Sequence, residues 1–394
     1  SERFVEENPD IELEWVVLDE NTLRQRATTD IATGGGQFDV VTIGTYEAAI
    51  WAARDWLAPL DDLAGDYDID DLLPSIRAGL SHEGTLYGAP FYGESSFTMY
   101  RTDLFEQAGL EMPEEPTWDF VKEAAATLTD RENGVAGICL RGKPGWGENM
   151  ALVTAMANSY GARWFDEEWQ PQFGGDAWNS VLGDYAQMLT EHGPEDAVSL
   201  GFQENLARFR EGGCAIWVDA TSAGQFVIDE ESSVADSVGF AMAPDTGLGK
   251  RANWLWAWAL AIPKATDAEE SAKTFVAWAT SKDYIQLVAE TEGWVSVPPG
   301  ARASLYENPE YRKVPFAAMT LASIEAADPS APTVGEVPYD GIQFVAIPEF
   351  QSIGTAVGQR FAKPLDGSIT IEEARADAQW VTEKVIERTN LLGK

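Results

Sequence analysis

The sequence predicts an α/β protein of more than one domain, and three observations carry that prediction. The chain has 394 residues, of which 45% are hydrophobic, enough for two or three separately cored domains. Its first hundred residues alternate extended and helical patterns, the signature of β–α–β units and of a mostly parallel sheet covered on both faces. The second half is broken by turns rich in proline and glycine, at residues 297–300 and 328–335, and shows neither an internal repeat nor a low-complexity tract.

Taken in order, residues 1–8 read as the end of a helix and IELEWVVL, residues 11–18, as a strand. A domain that opens on a helix end is expected to have its first strand ahead of Ser1. A helix follows near residues 21–33, then Gly34, Gly35 and Gly36, then a strand over residues 38–43. Glycines that end a helix and lead into a strand reverse the order of a dinucleotide fingerprint, so nucleotide binding is not indicated. Thr117 precedes WDFVKEAAATL, with Val121, Ala124, Ala125 and Leu128 on one face. Thr266 with Glu269 and Thr370 with Glu373 fit the capping box. Phe350, Ile353, Val357 and Phe361 mark one amphipathic helix, and Ala374, Ala378, Val381 and Val385 a core-facing stripe on the last.

Composition excludes several functions. No run approaches the ~20 apolar residues that a membrane helix requires. The net charge of −38 comes from 65 acidic against 27 basic side chains, spread along the whole chain. Such a surface repels phosphate backbones and anionic lipid heads, so neither nucleic acid nor a membrane surface is expected as a partner. With only His82 and His192, and only Cys139 and Cys214, zinc fingers and His-based catalytic triads have no material. No cofactor or metal is indicated. The two cysteines lie on strand-like segments; they pair if the protein is exported and stay reduced in the cytosol. With no leader ahead of Ser1, a mature exported form and a cytosolic protein both fit.

Several motifs dissolve on inspection. Asp66, Asp68 and Asp70 imitate the start of a calcium loop, but Asp71 and Arg77 stand where Gly and Glu are required. Gly247 to Lys250 lacks phosphate-loop spacing, and the segment around Ser95 and Ser96 lacks the second glycine of a nucleophile elbow. Among 65 acids, choosing a glycosidase pair is arbitrary.

What stands out is NWLWAWAL, in which Trp254, Trp256 and Trp258 alternate with small or aliphatic residues. Strand periodicity puts all three on one face, and at least one is expected to face a ligand. A flat indole covers C–H surface while its N–H donates to a hydroxyl. Polar groups fall where strands are expected to end: Glu94 in FYGESSFTMY, Arg141, Trp146 and Asn149 in CLRGKPGWGEN, Asp219 in AIWVDAT, and Trp294 in the turn after Gly293. Each has an ordinary alternative as a cap, a surface ion pair or packing. Together they suit a neutral polyhydroxylated solute, whose hydroxyls both donate and accept.

These segments resemble the extracellular solute-binding proteins of family 1, which deliver sugars to ABC importers. The resemblance runs from FVEENPDIELEW through FDVVTIGTYE and YGESSFTMYRTDLFEQAGLEMPEEPTWDF to the paired C-terminal helices. CLRGKPGWGEN, AIWVDAT, WLWAWALAIPK, GWVSVPPGAR and GIQFVAIPEFQ are most similar to the branch that binds sorbitol, mannitol and related polyols. The resemblance implies a two-lobed periplasmic-binding-protein fold (type II-like), with a central ligand cleft and hinge crossovers near residues 96–101, 256–261 and 313–339. Lobe one would be residues 1–100 and 257–330, and lobe two 101–256 and 331–394. The ligand-binding residues carried over are Thr45, Tyr46, Glu94, Arg141, Trp146, Asn149, Asp219, Trp254, Trp256 and Trp294, with no catalytic residue among them. The implied partners are a polyol or sugar and membrane ABC permease subunits, with the protein a periplasmic monomer. The family's first strand, expected ahead of Ser1, leaves its part of the site unassigned. A monosaccharide or oligosaccharide ligand, a sensing role, and a secreted carboxylate-dependent glycoside hydrolase remain the competing readings.

Overall fold

The structure is a computed structural model that describes residues 2–18, 20–63 and 67–389. Ser1 and Asp66, on which two sequence expectations touched, lie outside the described residues. The chain divides into two compact units, residues 1–93 with 256–314 and residues 94–255 with 315–394. It changes unit at Gly93/Glu94, Leu255/Trp256 and Val314/Pro315; the sequence expectation set these points at 100/101, 256/257 and 330/331. The strands in chain order are β1 (Val41–Gly44), β2 (Ser81–His82), β3 (Thr85–Leu86), β4 (Ala89–Glu94), β5 (Ser96–Arg101), β6 (Ala136–Cys139), β7 (Cys214–Ala220), β8 (Val238–Met242) and β9 (Trp256–Ala261).

In the first unit the sheet order is β1-β9-β4, with β2 and β3 as a separate hairpin. β1 and β9 run antiparallel, Val41 opposite Ala261 and Gly44 opposite Trp258. The expected strand over 38–43 starts only at Val41. Asp30 accepts the Gln37 N–H and Asp39 accepts from Thr266, which bends the chain ahead of the ladder. The same Thr266 hydroxyl takes the Ala268 N–H, and the helix begins at Glu269 after an Ala268 N-cap. The expected Thr266–Glu269 capping box is therefore not formed.

Residues 11–18 are extended but form no strand, against expectation. A strand requires a partner for its N–H and C=O groups, and none pairs with this run among the described residues. Side-chain packing holds it instead. Ile11 and Leu13 pack on a cluster of Phe4, Phe275 and Ala279, and the Trp15 ring lies 5.9 Å from Phe275. Val17 is left 86% exposed.

In the second unit the sheet order is β6-β7-β5-β8. β6 and β7 are parallel, whereas β5 is antiparallel to both β7 and β8, so the expected mostly parallel sheet is a mixed one. β5 takes its neighbours from segments more than a hundred residues away, which no local β–α–β connection orients. A disulfide joins Cys139 at the end of β6 to Cys214 at the start of β7, deciding a pairing the sequence left open.

The helices here follow their sequence signals closely. Thr117 caps the helix Trp118–Leu128 by accepting the Phe120 N–H at 3.2 Å. Helix Phe350–Ala362 buries Phe350, Ile353, Val357 and Phe361, and the rings of Phe350 and Phe361 join Trp164, Phe173 and Trp178 in an aromatic core. Thr370 and Glu373 form the reciprocal capping box, at 2.8 and 3.2 Å. On the last helix, Ile371–Thr389, the buried row is Ala374, Ala378, Thr382 and Ile386. Val381 and Val385 stand beside it, because the contact line keeps a strict four-residue step. Among the described residues, no helix is long and apolar enough to cross a membrane.

Candidate functional site

In the second unit the site begins at the disulfide. β6 ends at Cys139, and two residues later Arg141 is buried against the side of β7. Its Nε donates to both oxygens of Asp219, at 3.1 and 2.9 Å, and its Nη2 donates to Oδ1 at 2.6 Å. Nη1 donates to the Gly147 carbonyl at 2.9 Å, which folds the loop 141–148 around the guanidinium. Asp219 also accepts from Trp217 Nε1 and from the Ala220 N–H. The Tyr185 hydroxyl donates to the Arg141 carbonyl at 2.7 Å.

Aromatic rings border the same guanidinium. Its central carbon lies 5.2 Å from the Phe202 centroid and 5.4 Å from that of Trp254, within cation–π range. Burial alone disfavours the Arg141 charge, but the Asp219 carboxylate, with Glu148 and Glu94 behind it, outweighs that and holds the pKa well above the ordinary value. Arg141 is thus a permanent cation whose charge is matched in place.

Glu94 reaches this region through sheet register. Two residues beyond the Ser96–Ala220 pair that ends the antiparallel ladder, the Ser222 hydroxyl donates to Glu94. Asn149 opens the helix Asn149–Ser159 and braces the loop: its oxygen accepts the Gly145 N–H and its nitrogen donates to the Gly358 carbonyl. The Trp146 ring meets Phe350 edge-on at 6.4 Å, close over Gly354, where a Cβ would lie 2.9 Å from its own.

The remaining candidates belong to the first unit. Thr45 and Tyr46 open the helix Thr45–Ala52 just after β1, and Thr45 Oγ1 is buried with no hydrogen-bond partner among the described residues. Trp256 and Trp258 share one face of β9, their rings 5.7 Å apart and steeply inclined. Trp294 is half-buried in a single turn, Trp294–Ser296. The three tryptophans of NWLWAWAL do not share a face. Trp254 lies before β9 begins and belongs to the other unit, beside Arg141. Ahead of β9 the Asn253 side chain donates to the Ser323 carbonyl, and the Leu255 backbone exchanges both its hydrogen bonds with the Gln343 amide in place of a strand.

The structure therefore joins Arg141, Asp219 and Trp254 in direct contact and sets Glu94, Trp146 and Asn149 on the elements around them. It adds residues that the sequence reading missed: Phe202 against Arg141 and Ser222 against Glu94 in the second unit, and in the first unit Arg24, which lies over the Trp256 and Trp258 rings and pairs with Glu47. Ser222 follows from the β5–β7 register once that pairing is known. Phe202 and Arg24 carry no local signal, since each reads as an ordinary helical residue. No group of His, Cys, Asp or Glu side chains suited to a metal occurs among the described residues. Of the acids that imitated a calcium loop, Asp68 pairs with Lys282 and Asp70 with Arg77.

Two units of mixed helix and strand connected by three chain passages match the fold of two-lobed periplasmic solute-binding proteins. The chain belongs to the bacterial extracellular solute-binding protein family, whose sequence profile matches residues 2–286. That family is a substrate-binding, non-catalytic component of transport. A mannitol-binding protein from Pseudomonas aeruginosa is 56% identical over 389 residues, covering 98% of this chain and 89% of the relative. An ABC transporter solute-binding protein from Agrobacterium vitis S4, solved with bound D-mannitol, is 58% identical with a TM-score of 0.97, covering 98% of this chain and 94% of that one. A second such protein, from Agrobacterium radiobacter K84 in complex with ribitol, shares the fold at 23% identity and a TM-score of 0.83, covering 98% of this chain and 94% of that one.

Proposed function

We propose that this chain captures a linear polyol, with mannitol the first candidate, and presents it to the membrane permease of an ABC importer. The observation that carries this reading is the 56% identity to a mannitol-binding protein across 98% of the chain. The geometry of the second unit supports it. A polyol has no charge and a hydroxyl on every carbon, so its site must donate, accept and cover C–H surface at once. Arg141, its charge matched by Asp219, has N–H groups left to donate, Glu94 can accept, and Trp254 supplies a flat apolar face. Hydrogen bonds to charged groups contribute roughly 1.5–3 kcal/mol each, so a few of them reach micromolar affinity.

In this proposal Thr45, Tyr46, Glu94, Trp146, Asn149, Trp256 and Trp294 are further candidate ligand contacts. The ligand shifts the population toward whichever arrangement of the chain gives it more contacts. The protein acts as an exported periplasmic monomer and leaves its ligand chemically unchanged. A thermal-shift screen followed by calorimetry tests this against linear polyols, hexoses and disaccharides. Mannitol or sorbitol is expected to raise the melting temperature by mass action. A shift with disaccharides and none with polyols, or release of reducing ends on incubation with oligosaccharide, defeats the reading.

A further inference from the structure

Helix Glu20–Thr33 carries a residue that no sequence motif singled out. The Arg24 guanidinium lies 5.4 Å from the Trp256 centroid and 4.7 Å from that of Trp258, and its side chain is only 10% exposed. Nε donates to Glu20 at 3.0 Å, and Nη1 donates to Glu47. The second Glu47 oxygen accepts the Gly44 N–H at 3.0 Å, which anchors that carboxylate to the end of β1. Burial works against the Arg24 charge, but Glu47 and Glu20 outweigh it and raise the pKa. The Trp256 ring also rests on Gly44, where a Cβ would lie 1.9 Å from Cζ2. Trp256 is thus bounded by the bare Gly44 backbone, the inclined ring of Trp258 and the planar cation of Arg24.

We propose that Arg24 is a positioning residue for the polyol site, fixing the Trp256 and Trp258 indoles in one arrangement before the ligand arrives. The inference rests on the polyol reading and extends it to residues outside the expected site. A planar guanidinium stacks on an indole in a way that a lysine ammonium cannot reproduce. A ring already held in place loses no rotamer freedom when a ligand covers it, so that cost does not weaken binding. The ordinary alternative is that Arg24 only ties its helix to the sheet through Glu47.

Two variants of the full chain separate these roles. Arg24→Met keeps a long apolar stem without the cation, and Arg24→Lys keeps the charge without the plane. Each is measured for mannitol affinity by calorimetry, for melting temperature, and for the near-UV circular dichroism of the coupled indoles without ligand. Arg24→Met is expected to weaken mannitol binding at least about tenfold and to reduce the indole signal while the far-UV spectrum stays unchanged; Arg24→Lys regains part of both. Affinity within about twofold of wild type in Arg24→Met, or an unaltered indole signal, overturns the proposal. Should Arg24→Met fail to fold, Glu47→Gln loosens the anchor with Arg24 still present and is judged by the same two readouts. If the wild type takes up no polyol, the proposed function fails, while the ligand-free indole signal still decides whether Arg24 sets the rings.

Discussion

Asp219 Oδ1 accepts Arg141 Nη2 at 2.6 Å while Oδ2 accepts Nε at 2.9 Å, both side chains are buried, and the Arg141 guanidinium lies against the rings of Phe202 and Trp254. Two charges removed from water are tolerable because each is the other's counter-ion and the remaining acceptor sites are filled by Trp217 and Ala220.

Truncating either partner is accordingly expected to act twice. Arg141→Ala or Asp219→Ala leaves one buried charge uncompensated, a loss of roughly 3–5 kcal/mol of stability. Each is also expected to weaken polyol binding at least about tenfold, Arg141→Ala by removing a charged donor and Asp219→Ala by releasing the guanidinium that it holds in place. Replacing both together, Arg141→Met with Asp219→Leu, should restore much of the melting temperature without restoring affinity. Wild-type calorimetric affinity in that double variant removes the pair from the site.

Gly44 is expected to tolerate no side chain. A Cβ there would sit 1.9 Å from Trp256 Cζ2. Since Gly44 ends β1 opposite Trp258, the backbone cannot retreat without breaking the ladder. Gly44→Ala should therefore displace the indole, at a cost of about 1–3 kcal/mol in overpacking, and should lower mannitol affinity. Chemical denaturation and calorimetry check the two effects separately.

The disulfide should matter more to stability than to binding. It closes a sequence separation of 75 residues, which in the chain-entropy model corresponds to about 4 kcal/mol. Cys139→Ser with Cys214→Ser is expected to melt well below wild type while binding polyol with similar affinity at low temperature. A large loss of affinity at a temperature where the variant is fully folded contradicts this division.

Alkaline pH should expose one buried phenol. Burial pushes Tyr339 up to about 12, although the Trp164 N–H that it accepts at 3.0 Å works the other way. With the folded pKa above the ordinary value of 10, the contribution is complete below pH 10 and is lost as the pH rises from 10 towards 12. Tyr339→Phe should be less stable than wild type at neutral pH, where the Trp164 N–H loses its acceptor. It should then show a shallower decline over that alkaline window. Parallel slopes for the two proteins would exclude Tyr339 as the source.

Much of the local structure was legible because it depends on neighbours in sequence. Thr117 and Thr370 cap their helices as their spacing indicated, and Phe350, Ile353, Val357 and Phe361 line a buried face. The failures share one cause. Thr266 has the spacing of a capping residue but is claimed by Asp39, which is distant in sequence. Residues 11–18 alternate like a strand but have no described partner. Trp254 follows the alternation of Trp256 and Trp258 yet falls outside β9. Similarly, β5 shows its extended pattern in the sequence but not that its flanking strands run against it.

By itself the sequence determined the α/β class, the acidic surface, the family and the chemical character of the residues available for a hydroxylated ligand. Helix periods, caps and charge are short-range properties, written within a few residues of where they act. Only the tertiary structure decided that Arg141 meets Asp219 across 78 positions, that Ser222 faces Glu94, and that Arg24 lies over two indoles far along the chain. Those pairings depend on strand register and on which helix packs where, and both are set by the collective burial of the core, which no local pattern encodes.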